Sequence, residues 1–231
     1  DAVDLLDEDA FGRRLADLAV LAAEHGDRQV ASDGEAAARE WARSELEDLG
    51  WQVSEQAVSW GLPLRTSANL VATSPFGSDD EIVLLGAHID GVPGVPAIGD
   101  NGTGVAAVLG IAEALTLRDD PPARAVRVVL FTWEEINLLG SLHYAHSLDE
   151  AEAADHVAAF IIDQVGSPNG VPFIVDADGS ETGAAGFPPE GAVLEDLLGE
   201  WMDARGEPWE VLPSTPHSDH VYFADRGIPA V

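Results

Sequence analysis

Three stretches of the chain are apolar almost throughout and of strand length: "EIVLLGAHID" (residues 81–90), "RVVLFTWEE" (127–135) and "AAFIIDQVG" (158–166). Short continuous apolar runs predict strands covered on both faces. Between and after them, segments of helical character are predicted over 102–115, about 138–147, 150–155 and 192–204. Strands alternating with helices imply an α/β fold of three layers, with a mixed, mostly parallel central sheet flanked by helices. The N-terminal third reads as two helices and two strands. Phe11, Leu15, Leu18 and Leu21 line one side of a helix over 9–24, and Trp41, Leu46 and Leu49 line a second that ends at Gly50. Ser32 and Glu35 have the spacing of a capping box for that second helix. The strands are "WQVSEQAVSW" (51–60) and "SANLVATSP" (67–75). The stretch "DADGSETGAAGFPPEG" (176–191) predicts a long surface loop. No repeat or low-complexity tract divides the chain, so one domain over residues 1–231 is expected.

Composition narrows the function classes. Hydrophobic residues make up 46%, enough for a packed core, and no apolar run approaches the ~18 residues a membrane span needs. Asp and Glu total 42 against 11 basic residues, all arginine, for a net charge of -31. The acids are scattered along the chain, which predicts a solvated anionic surface and resembles proteins of salt-loving microbes. The setting this suggests is a high-salt one, inside or outside the cell. Nucleic acid is not expected as a partner, because phosphate recognition needs basic clusters; nor is a membrane. Without cysteine, any metal must be held by histidine and carboxylate.

Candidate chemistry sits where the buried runs end. The first closes on His88 and Asp90, the second on Glu134 and Glu135, the third on Asp163. Parallel neighbours would bring these endings to one edge, where open α/β sheets place their binding crevices. One acidic strand end is ordinarily a solvated terminus; three after fully apolar runs predict a metal centre. Asp90 can hold the second ring nitrogen of His88, which a ligating histidine needs. In "IGDNGTGVAAVLG", Asp100 lies in a glycine-bearing turn before a helix of small residues. It reads either as a helix cap or as a carboxylate between two cations. If Glu135 ligates a cation, much of its charge is neutralised. Glu134 can then stay beside it as a general base toward a water that two cations ~3.5–4 Å apart activate.

The stretches "GAHIDGVPGVPAIGDNGTGVAAVLGIAEAL", "VVLFTWEEINLLGS", "FIIDQVG" and "SDHVYFADRGIPAV" resemble, in that order, the di-zinc exopeptidases. These include bacterial leucyl aminopeptidases, aminopeptidase Y and glutamate carboxypeptidase. The resemblance covers about residues 67 to 231. It implies two zinc ions per chain and a peptide or small amide substrate. His88 and Asp163 would bind one zinc, Glu135 the other, and Asp100 both; Glu134 would be the base and Asp90 would orient His88. Asp219 and His220 would lie near the site without ligating. The resemblance also implies a cis peptide after Asp100. The family's remaining ligand is a histidine just beyond the strand that "GIPAV" begins, so a chain closing at Val231 is expected to lack its C-terminal end. His217 could stand in for that ligand, although a solvated loop histidine is the plainer reading. Asn137 stands where a glycine is usual and Gln164 where a methionine is usual. Tyr144 and Tyr222 are the tyrosines available to stabilise an oxyanion, and neither falls on a position that assigns it that role. His143 and His146 share a helix face and are expected at the surface. Two rivals share the expected fold: a single-zinc glutaminyl cyclase-like enzyme and a non-catalytic scaffold or receptor.

Overall fold

The computed structural model describes residues 8–167, 170–181, 183, 186–213 and 218–231. Two helices open it: α1 (Glu8–His25) and α2 (Asp33–Asp48). Ser32 caps α2, its Oγ accepting from Glu35 N at 3.1 Å. The reciprocal half of the expected box does not form. Glu35 is buried, and its carboxylate accepts instead from Ala31 N, Ser67 Oγ and Thr132 Oγ1. A hairpin of β1 (Gln52–Trp60) and β2 (Arg65–Thr73) follows, then β3 (Ser78–His88), α3 (Thr103–Thr116) and β4 (Arg124–Phe131). Next come α4 (Leu139–Ser147), α5 (Glu150–Asp155) and β5 (His156–Ile161). Asp149 and Glu152 form a complete capping box on α5. Beyond lie β6 (Phe173–Val175), α6 (Gly191–Arg205), β7 (Glu210–Leu212) and α7 (His220–Asp225).

The main sheet runs β1-β2-β4-β3-β5. The three strands predicted from continuous apolar runs are the adjacent parallel ones, β4, β3 and β5. β1 and β2 extend the sheet antiparallel from β4, and Ala230 adds a parallel bridge to Ala159 outside β5. Alternation along β4 divides the core into two layers. Val126, Val128 and Leu130 pack with Leu18 of α1, Ala38, Ala42 and Leu46 of α2, and Val105, Val108 and Leu109 of α3. Val129 and Phe131 face the other way, toward Tyr144 of α4, Ala153 of α5 and Phe223 of α7. Fully burying side chains of this size stabilises by roughly 1.5–3 kcal/mol each, so both helical layers are held tightly to the strands. A smaller cluster joins Ala158 of β5 to Ile174, Ala177 and Leu194 beneath the paired β6 and β7. Asp176 and Ala177 are therefore buried, and the expected surface loop has its root in the interior. Among the described residues no helix is long and apolar enough to cross a membrane.

Candidate metal centre

Parallel pairing sets His88, the last residue of β3, opposite Phe131, the last of β4. The chain beyond each strand therefore emerges at the same edge. His88 is the hub. Its Nε2 lies 3.0 Å from Asp100 Oδ1, 3.5 Å from Asp163 Oδ1 and 3.8 Å from Glu134 Oε2. Candidate ligand atoms of His88, Asp100 and Glu135 lie within 4.8 Å of one another, as do those of His88, Glu134 and Asp163. Four separate segments thus bring together all five of the metal-centre and base candidates singled out in the sequence.

Asp90 acts here through both its backbone and its side chain. His88 Nδ1 contacts the Asp90 carbonyl oxygen at 3.1 Å, while the nearer carboxylate oxygen lies at 3.8 Å. That carboxylate accepts from Glu134 N at 3.1 Å, tying the β3 ending to the β4 ending. Asp100 sits in the irregular turn Ile98–Gly102, and the Asp100–Asn101 peptide is cis. Asn101 anchors the turn: Nδ2 donates to Ile162 O, and Oδ1 accepts from Gly104 N and Gln164 N. Gln164 Nε2 donates to Asp100 Oδ2 at 3.2 Å, and Ser218 Oγ to Asp163 Oδ2 at 3.2 Å.

The backbone is unusual where the site is built. Five of the six non-glycine residues with positive φ among those described lie in or beside these segments, Ala97, Trp133, Asn137, Leu138 and Gln164; the sixth, Ala31, lies in the connection between α1 and α2. Such conformations cost of order 1–3 kcal/mol each and collect at functional sites. Asn137 has φ 62°, a region that asparagine tolerates better than most residues. Trp133, the residue before Glu134, is buried among Val30, Val58 and Ile136, which fixes the start of the glutamate segment.

Charge is concentrated and poorly satisfied. Burial alone would lower the His88 pKa, but Asp100, Asp163 and Asp90 outweigh it and hold it well above the usual value. Burial pushes Glu134 up to about 8, against the charge of His88 and with help from Asp219, Asp163 and Asp90. Burial and Asp100 raise Glu135. Asp219 is wholly buried and pushed up to about 7, first by that burial. It lies against Ser141, whose hydroxyl donates to Leu138 O instead, so neither Asp219 oxygen has a hydrogen bond. His220, also buried, is pushed down to about 4 by burial, and its Nε2 is unpartnered. His143 and His146 are exposed on α4, as expected, while Tyr144 is buried against Phe131 and His156. His217 lies outside the described residues.

The donors fit a metal. Asp163 Oδ1, Glu135 Oε1 and Asp90 Oδ2 are buried oxygens without a hydrogen bond, a costly arrangement that a cation relieves. One histidine among several carboxylates, with no thiolate, is a donor set that zinc accepts.

The fold is thus a mixed α/β sheet that gathers carboxylates around a histidine at the carboxyl ends of its parallel strands. Residues 69–231 match the model of peptidase family M28, and the chain belongs to that family. Leucine aminopeptidase 2 of Trichophyton rubrum is 37% identical over 166 residues, covering 72% of this chain and 33% of that protein. The chain thus spans about a third of the length of this curated relative. Among solved structures, the aminopeptidase of Aneurinibacillus sp. strain AM-1 superposes with a TM-score of 0.82 at 16% identity, over 98% of this chain and 84% of that one. Glutaminyl cyclase of Porphyromonas gingivalis has the same fold, with a TM-score of 0.77 at 19% identity over 99% and 83% of the two chains.

Proposed function

We propose that this chain carries the catalytic core of a zinc-dependent exopeptidase, most simply an aminopeptidase. The observation that carries the reading is the convergence of Asp100, Glu134, Glu135 and Asp163 on His88, with buried carboxylate oxygens that accept no hydrogen bond. His88, Asp100, Glu135 and Asp163 would hold two zinc ions, with Asp100 shared. Zinc so held supplies Lewis acidity, polarising a scissile carbonyl and making water nucleophilic near neutral pH.

The chain's own groups do the rest. Asp90 fixes the ring of His88 through its carbonyl oxygen and the start of the Glu134 segment through its carboxylate. Glu134 would take a proton from the attacking water and return it to the leaving amine. Gln164 and Ser218 orient the Asp100 and Asp163 carboxylates. The acidic lining favours a substrate that presents a cationic amine over one that leads with a carboxylate. Arg28 reaches Asp90 and Asp100 electrostatically, but its donors are engaged on backbone carbonyls. The names of the relatives agree with that polarity.

Glu134→Gln tests the reading. The variant should keep its zinc and lose dipeptide hydrolysis by roughly 10²–10⁴-fold, the usual contribution of a positioned base. Retained activity would remove Glu134 from the role. Amino- and carboxy-blocked dipeptides fix the polarity, with cleavage of amino-blocked substrates counting against an aminopeptidase. A stoichiometry of one zinc with cyclisation of N-terminal glutamine would replace the reading by the cyclase one. Zinc binding without turnover of either substrate class would favour a scaffold.

A further inference from the structure

Arg28 lies in the connection between α1 and α2, far in sequence from every candidate ligand, and it is fully buried. A buried guanidinium is costly to desolvate, and burial lowers its pKa to about 10 even with Asp90 and Asp100 acting against the shift. All three of its nitrogens are nevertheless used on one loop. Nε donates to Ile89 O at 2.9 Å, Nη1 to Pro96 O at 3.0 Å and Nη2 to Ala97 O at 2.7 Å. The loop answers through Gly91 N, which donates to Arg28 O at 3.0 Å, and Gly94 N, which donates to Asp27 Oδ2 at 2.6 Å.

These contacts bracket the chemistry. Ile89 and Gly91 flank Asp90, whose carbonyl holds His88. Ala97, in a left-handed conformation, shares its carbonyl oxygen between Arg28 and Gly102 N, and the turn carrying Asp100 hangs between Ala97 and Gly102. Residues 92–96 between the two anchored ends are exposed. A planar fork of donors can hold diverging carbonyls at fixed separation, which a point charge on a flexible stem cannot.

We propose that Arg28 is a positioning residue of the metal centre: by clamping the carbonyls of Ile89, Pro96 and Ala97, it sets where Asp90 and Asp100 stand around His88. This rests on the metal-centre reading above. It separates from a purely electrostatic role by sign. Removing a positive charge beside carboxylate ligands should by itself tighten cation binding, whereas releasing the clamp should weaken it.

Zinc titrated into the metal-free protein against a competing chelator reads that sign without any substrate. Arg28→Gln should bind zinc at least tenfold more weakly than the unaltered protein; equal or tighter binding would overturn the proposal. Arg28→Lys keeps the charge but cannot engage three carbonyls, so it should show a similar loss, and unchanged affinity there would also overturn the proposal. It serves as the second variant if Arg28→Gln does not fold, which far-UV circular dichroism of the metal-free protein reports. Cobalt(II) in place of zinc adds a readout of geometry. Its visible absorption bands should shift in Arg28→Lys, and a spectrum superposing on the unaltered one would count against positioning. Asp27→Asn, which alters only the exposed contact to Gly94, should leave both readouts in place. Failure of the unaltered protein to bind zinc would overturn the metal-centre reading and this one together. Normal zinc binding with an indifferent Arg28 would overturn this one alone.

Discussion

Glu134 and Glu135 are neighbours in the chain with different partners in space. Glu134 groups with His88 and Asp163, and Glu135 with His88 and Asp100. The resulting crowd of protonatable groups has a consequence for stability. Glu134 at about 8 and Asp219 at about 7 lie above their values in an unfolded chain, so the native protein binds more protons near neutrality. Their stabilising contribution is complete at low pH and is lost as pH rises through those values. His220, pushed down to about 4, works in the opposite direction, but only below its unfolded value of about 6.5. The thermal midpoint of the metal-free protein should therefore fall as pH rises from about 6.5 to 8.5. Saturating zinc should flatten that slope, and a midpoint rising over the window in metal-free protein would contradict the assignment. At this scale the sequence displayed the convergent residues, because each closes a strand or occupies a glycine-bearing turn. It did not display Arg28 or the buried partners of Glu35. Their partners lie in distant loops and strands, and neither spacing nor residue type signals such pairings.

Elements carry the site through close backbone approaches. A Cβ on Gly104, in the first turn of α3, would lie 2.2 Å from Asn101 Oδ1 and 2.3 Å from Ile162 O. Those atoms belong to the two segments that deliver Asp100 and Asp163. Gly104→Ala should lower stability by about 1–3 kcal/mol and weaken zinc binding as well. Gly12→Ala on α1, where a Cβ meets nothing within 4 Å, should raise stability by up to about 1 kcal/mol through helix propensity alone. Thermal unfolding and chelator competition on both variants check the contrast. The parallel strands were legible because burial on both faces removes polar positions. β6 and β7 have three residues each and α7 has six, too few to show a period. The left-handed residues around Trp133 and Leu138 also left no mark, since their conformations are imposed by packing.

The whole molecule carries a net charge of -31, and several of its arginines are already paired. Arg14 bridges Glu45 and Glu113 across α1, α2 and α3, and Arg39 and Arg43 converge on Glu55. Most of the acid therefore repels other acid, and salt should relieve that repulsion. The denaturation midpoint should rise from low to multimolar salt, and one that stays level or falls would remove salt adaptation from the description.

The placement of β3 between β4 and β5 has a further consequence for how the molecule opens. Amide exchange with solvent should be slowest along β3 and β4, which are paired and covered on both faces, and fastest at the tip between Trp60 and Arg65, where Leu62 is fully exposed. His88 is fixed to the slow unit, while Asp100 and the glutamates ride on loops beside it. Local opening can thus loosen the carboxylates one segment at a time while the histidine stays in register, and the centre can re-form without the sheet ever coming apart.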